Sequence, residues 1–91
     1  MNSGKFVGNS TLEQTALEVN LEAAKEIMKQ IRLKDIGGII VIDYIDLNKK
    51  EHQKQIIEAM NEEVFKDRSR IDIKGYTELN LVELTRKRMN I

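Results

Sequence analysis

The 91 residues carry 15 basic and 15 acidic side chains, so the formal net charge is zero, with 41% hydrophobic and 33% charged residues and no cysteine. A chain of this length forms one small domain that hides about 60–65% of its unfolded surface, so its core is thin. The composition fits a soluble globular domain and excludes disulfides and thiolate metal sites. The longest apolar run, 37–42, is far too short to span a bilayer, and no charged-then-apolar leader is visible, so a cytoplasmic location is expected.

Met1 to Ser10 is rich in Gly, Asn and Ser, and residues 1–14 read as a loop or severed connection. A helical pattern takes over at Thr15. Leu17, Leu21, Ala24, Met28 and Ile31 follow 4-3-4-3 spacing, widened by Ala23 and Ile27, the signature of a helix buried on one face. Thr15-x-x-Glu18 is one candidate cap and Asn20 another; Gly37-Gly38 supplies the glycine expected at the helix end or the turn after it. The β-branched run Ile39 to Ile42 lacks polar alternation and predicts a strand covered on both faces. Asn48 followed by Glu51 marks a second helix start, with Ile56, Ile57, Met60 and Val64 as its buried stripe. Arg70 to Lys74 alternates charge with Ile71 and Ile73, a half-exposed strand closed by Gly75, whereas 79–88 is ambiguous between helix and strand. The expected class is α/β: a single domain over 1–91, a helix-strand-helix-strand unit that forms part of a larger mixed sheet.

Charge is unevenly distributed. Through Phe65 there are 8 basic and 11 acidic residues, whereas from Lys66 onward there are 7 and 4. The last quarter therefore holds Arg68, Arg70, Lys74, Arg86, Lys87 and Arg88, where a polyanion could dock if folding gathers them. A solvated face is the plainer reading of Arg86-Lys87-Arg88.

Asp43 is the most informative single residue. A carboxylate at the end of an apolar strand is costly to desolvate without hydrogen bonds, a positive partner or a metal, and open α/β sheets bind ligands beyond the carboxyl ends of their strands. A turn cap is the alternative. Asp46 is the obvious second acid, but residues three apart in an extended strand face opposite ways, so the two converge only if the chain turns between them. The only histidine, His52, lies among Lys49, Lys50, Glu51, Gln53 and Lys54 and reads as solvated helix surface. No P-loop, GxSxG elbow or GxGxxG fingerprint is present.

The stretches NLEAAKEIMKQIRLKDIGGIIVIDYID and KDRSRIDIKGYTELNLVELTRKR closely resemble the ribonuclease E/G family, from Asn2 to about Arg88. The resemblance implies a segment of a DNase I-like catalytic subdomain, in which two aspartates hold Mg²⁺, or Mn²⁺ in its place. Asp43 matches one of them. The other stands in an Asp-x-Asn-Ser/Gly pattern that Met1-Asn2-Ser3-Gly4 matches from the x onward, which places it just before Met1; Asn2 matches the asparagine that helps orient the catalytic site. Asp46 becomes a candidate to support the ligand from behind, and Arg68, Arg70, Arg86 and Arg88 become candidates for RNA phosphate contacts. Full-length members add an S1-type RNA-binding module, a 5′-monophosphate sensor and a two-cysteine zinc link between subunits; without cysteine this segment has no zinc site.

The implied activity is endonucleolytic hydrolysis of single-stranded RNA in RNA processing and decay, leaving 5′-phosphate products. It belongs to a full-length, homo-oligomeric enzyme without a membrane span, the 91-residue segment being inactive alone. The competing expectation is a non-catalytic α/β interaction or scaffold module. Asn80 stands where the family commonly has glycine, a mild change because Asn tolerates the left-handed conformation.

Overall fold

The computed structural model describes residues 9–89, with side chains described from Leu12 onward. Two helices and three strands follow in the order α1 (Asn9–Leu33), β1 (Gly38–Ile42), α2 (Lys50–Val64), β2 (Ile71–Tyr76) and β3 (Val82–Arg86). The class is α/β, and the strand order β1-β3-β2 makes β3 the centre of a sheet that is antiparallel throughout.

Helix α1 begins at Asn9, so residues 9–14, expected as loop, are helical. Thr15 and Asn20, the candidate caps, lie inside it rather than at its start. The predicted stripe is the buried one: Leu17, Ala24, Met28 and Ile31 are in the core, and Leu21, Ala23 and Ile27 pack against it. The helix does not wait for the two glycines to end. Ile36 N–H donates to Ile31 O (3.0 Å) and Asp35 N–H to Arg32 O (3.2 Å), while Asp35 takes the left-handed conformation (φ 51°). That is the Schellman arrangement with aspartate where glycine is usual. Gly37 serves close approach instead, because a Cβ there would lie 2.8 Å from Arg88 Cβ and 2.9 Å from its backbone nitrogen.

Strand β1 lies at one edge of the sheet, where Ile39 and Val41 are 72% and 54% exposed. The expectation of cover on both faces is therefore wrong for this unit. The helices cover one face, on which Ile40 and Ile42 lie opposite Leu84 and Val82 of β3, and the other face carries Ile39 and Val41 outward opposite Thr85 and Glu83. An uninterrupted apolar run arises because the outward residues are apolar too.

Helix α2 packs Ile56 and Met60 fully into the core, with Ile57 and Val64 beside them, as its stripe predicts. Its first helical residue follows Lys49, which caps with no side-chain bond, so the Asn48-Glu51 box is not formed. Strand β2 alternates as expected, but Gly75 (φ 103°) lies within it, at an irregularity between Ile73 and Gly75, and does not close it. The ambiguous stretch 79–88 resolves into a turn and β3. Asn80 (φ 63°) takes the left-handed position of that turn, where Asn80 N–H donates to Thr77 O (3.0 Å) and Thr77 N–H to Leu81 O (2.7 Å). Among the described residues, no helix is long and apolar enough to cross a membrane.

Candidate metal and RNA-binding site

Residues 43–46 have no regular structure, so their backbone polar groups need partners outside the sheet ladder. Tyr44 and Leu47 anchor the segment in the core, at 6% and 4% exposure, and leave Asp43, Ile45 and Asp46 exposed. Asp43 continues the outward series Ile39 and Val41 at the carboxyl end of β1. It makes no hydrogen bond or ion pair among the described residues, so the turn-cap reading of its carboxylate finds no bond to rest on.

Two polar residues of α1 reach this segment. The Asn20 amide, 1% exposed, donates from Nδ2 to Ile45 O (2.8 Å) and accepts Ile45 N–H at Oδ1 (3.1 Å). Seven residues earlier on the same helix, the Glu13 carboxylate accepts Asn48 N–H (3.0 Å) and Lys49 N–H (3.2 Å) at the start of α2. It also contacts His52 Nδ1 at 2.7 Å. The Asn48 amide foremost, and His52 next, hold the Glu13 carboxyl below its ordinary value, against the opposing effect of burial. His52 is thus not plain solvated surface; its side chain is 12% exposed and joined to a buried acid. A polar residue at a stripe position, Glu13 and Asn20 on the face of Leu17 and Ala24, is the sequence signal that could have revealed both latches.

Asp46 lines an open cavity of about 220 Å³ with Leu12, Glu13, Ala16, Ile45 and Asn48. Nearby are the hydroxyls of Tyr44 and Tyr76, both buried without a hydrogen-bond partner among the described residues. Burial first, and then Tyr76, pushes the Tyr44 phenol up; burial and then Asp46 do the same for Tyr76. Among the described residues no group of three or more His, Cys, Asp or Glu side chains gathers as a metal cage. Asp43 nevertheless fits Mg²⁺ as one member of a set: an exposed hard-oxygen donor suits an ion that keeps several waters and takes one or two carboxylates plus substrate phosphate. Asn2 lies outside the described residues.

The arginine candidates separate. Arg86, expected at a phosphate, is 3% exposed and structural: its Nε donates to Asp67 Oδ2 (2.9 Å), Nη2 to Asp67 Oδ1 (3.1 Å) and Nη1 to Asp35 Oδ1 (2.8 Å). Its side chain lies on the inward face of β3 beside Val82 and Leu84, and its guanidinium is taken up by these carboxylates rather than offered to a phosphate. Arg68, Arg70 and Arg88 are exposed, as is Lys87. Arg70, Asp72, Thr85, Arg86 and Lys87 line an open cavity of about 370 Å³ on the sheet.

The chain is thus an α/β unit with an exposed carboxylate at the end of one strand and the exposed basic residues Lys87 and Arg88 just after its last. The profile of the ribonuclease E/G family matches residues 1–89, and the chain belongs to that family. It is 42% identical over 88 residues to a ribonuclease G of Salmonella typhimurium and 41% to that of Escherichia coli K12, in each case 97% of this chain and 18% of the relative. It is 47% identical over 88 residues to a ribonuclease E of Nostoc sp., covering 97% of this chain and 13% of the relative. The chain thus spans less than a fifth of the length of these relatives.

Proposed function

We propose that this chain is a catalytic-region segment of an endoribonuclease that hydrolyses single-stranded RNA in RNA processing and decay, leaving 5′-phosphate products, with Asp43 holding Mg²⁺. Mn²⁺ is the natural substitute. The observation that carries the reading is the exposed carboxylate of Asp43 at the end of β1, without a partner among the described residues, in a chain of the ribonuclease E/G family. When bound, the ion supplies an activated water and neutralises charge on the scissile phosphate. Asp43 presents the ligand oxygen, Asp46 is available to hydrogen-bond water around the site, and Arg68, Arg70 and Arg88 offer guanidinium forks to phosphate oxygens.

The second carboxylate is expected from the position before Met1, with Asn2 orienting the site. The bare edge of β1 and the apolar outward pair Ile39 and Val41 support a larger sheet in which further parts of a cytoplasmic, homo-oligomeric enzyme cover this face. Among the described residues no group of three or more His, Cys, Asp or Glu side chains gathers around Asp43, and we read the 91-residue chain as inactive by itself.

The test uses a 5′-monophosphorylated, AU-rich single-stranded RNA with Mg²⁺. The full-length enzyme carrying this segment should cleave it, and Asp43→Ala should abolish cleavage with the fold retained; the isolated chain should leave the RNA intact. Cleavage by the Asp43→Ala enzyme at the unmodified rate overturns the metal assignment and favours the scaffold reading of this unit.

A further inference from the structure

We propose that Asn20 is a positioning residue for Asp43: by clasping both polar atoms of the Ile45 backbone, its amide fixes the turn that presents the carboxylate. The inference rests on the reading of Asp43 as a metal ligand.

Segment 43–46 leaves the sheet ladder at Ile42, the last residue paired with β3. Over residues 43–46 the only directional ties among the described residues are the two bonds to Asn20, at 2.8 and 3.1 Å; the next lies at Leu47, whose carbonyl accepts Gln53 Nε2 at 3.1 Å. Tyr44 and Leu47 are buried on either side, but apolar burial is non-directional and leaves a short irregular segment free to slide or rotate. Ile45 gives no packing anchor, since its side chain is 52% exposed. A planar amide that donates and accepts at once removes that freedom, because both bonds are made only in one orientation of the Ile45 peptide groups.

The arrangement is also costly to keep for stability alone. Asn20 occupies a stripe position of α1 between Leu17 and Ala24, where an apolar side chain would extend the core. A buried amide is tolerated there because Ile45 satisfies it on both sides. Its effect falls on the backbone two residues after Asp43.

The experiment uses the 91-residue chain, with Mn²⁺ as the probe and amide NMR as the readout. Asn20→Ala removes both bonds and leaves room for water; Asn20→Asp keeps the acceptor for Ile45 N–H but loses the donor. Ile56→Val, in the core of α2, controls for general loss of stability. In the unmodified chain Mn²⁺ should broaden the Asp43 and Tyr44 amides, and the Ile45 amide should be protected from exchange. Asn20→Ala should lose that protection and raise the Mn²⁺ midpoint about tenfold, as loss of support behind a ligand does. Asn20→Asp should fall between, and Ile56→Val should leave the midpoint unchanged. If Asn20→Ala is unfolded by its amide dispersion, Asn20→Asp carries the comparison. Unchanged Ile45 protection, or an unchanged Mn²⁺ midpoint in a folded Asn20 variant, overturns the positioning role alone. A midpoint shifted equally by Ile56→Val overturns it too. Absence of broadening at Asp43 in the unmodified chain overturns the metal reading, and the role with it.

Discussion

Arg86 and Asp67 meet as a two-bond fork, Nε to Oδ2 at 2.9 Å and Nη2 to Oδ1 at 3.1 Å, with side chains 1% and 2% exposed. The pair ties the turn after α2 to the central strand, and Asp35 adds the end of α1 through Nη1 at 2.8 Å. Arg86 foremost holds the Asp67 carboxyl below its ordinary value, while Asp67 foremost raises the guanidinium. Three elements far apart in sequence therefore converge on one guanidinium.

Breaking that fork from one side should be severe. Arg86→Met keeps the bulk but leaves Asp67 buried without its charge partner, a loss of about 3–5 kcal/mol. Urea unfolding of the chain should show a midpoint lowered accordingly. Arg86→Met combined with Asp67→Leu should recover much of the loss, because no charge then remains buried alone. A single Arg86→Met that unfolds at the unmodified midpoint would contradict the structural role.

The Glu13 latch makes stability depend on acid. Its carboxyl is held low in the folded chain, by Asn48 N–H first and His52 second. A depressed folded value means that its contribution is fully present above the ordinary carboxylate range and is lost as pH falls through that lowered value. Denaturation midpoints between pH 6 and pH 3 should therefore drop less steeply in Glu13→Gln than in the unmodified chain. Parallel pH curves would show that the carboxylate is not titrating against this latch.

How much of this was legible follows from periodicity. The stripes of α1 and α2 and the alternation of β2 are local patterns, and each is where the spacing put it. Arg86 was misread because an inward arginine on β3 looks like surface in the string RKR; its partners Asp67 and Asp35 are 19 and 51 residues away. His52 reads as surface for the same reason, its partner Glu13 lying 39 residues back in a stretch whose composition predicts loop. The strand end at Asp43 was readable because an apolar run stops there abruptly. What holds that end, Asn20, is a single polar residue whose role appears only once α1 lies against the segment.

Gly37 should resist even the smallest side chain. A Cβ there meets Arg88 Cβ at 2.8 Å and its backbone nitrogen at 2.9 Å, so strand-end backbone must move rather than a flexible tip. Gly37→Ala should cost about 1–3 kcal/mol, in the range of overpacked sites. Thermal melts compare it with Gly38→Ala, where φ is 96° and space is open, so that any cost is backbone strain instead. A Gly37→Ala chain as stable as the unmodified one would mean that the Arg88 backbone yields freely.

RNA attraction by the basic quarter should be weak, electrostatic and independent of Arg86. Arg70 and Lys87 line the same open cavity, and Arg68 and Arg88 are exposed, whereas Arg86 is buried against carboxylates. Each phosphate contact on a single strand steepens the salt dependence of log K by about 0.7, so a surface making two or three contacts binds only at low ionic strength. Arg88→Gln or Lys87→Gln should therefore weaken binding of every RNA sequence alike and flatten the slope by about 0.7, since phosphate contacts position a strand without reading bases. Lys50 and Lys54, exposed on α2, serve as the comparison pair. Fluorescence anisotropy with a labelled single-stranded RNA across a salt series measures both quantities. If neutralising Lys50 and Lys54 weakens binding as much as neutralising Lys87 and Arg88, the end of β3 is not the RNA surface, and its exposed charges are ordinary solvated face.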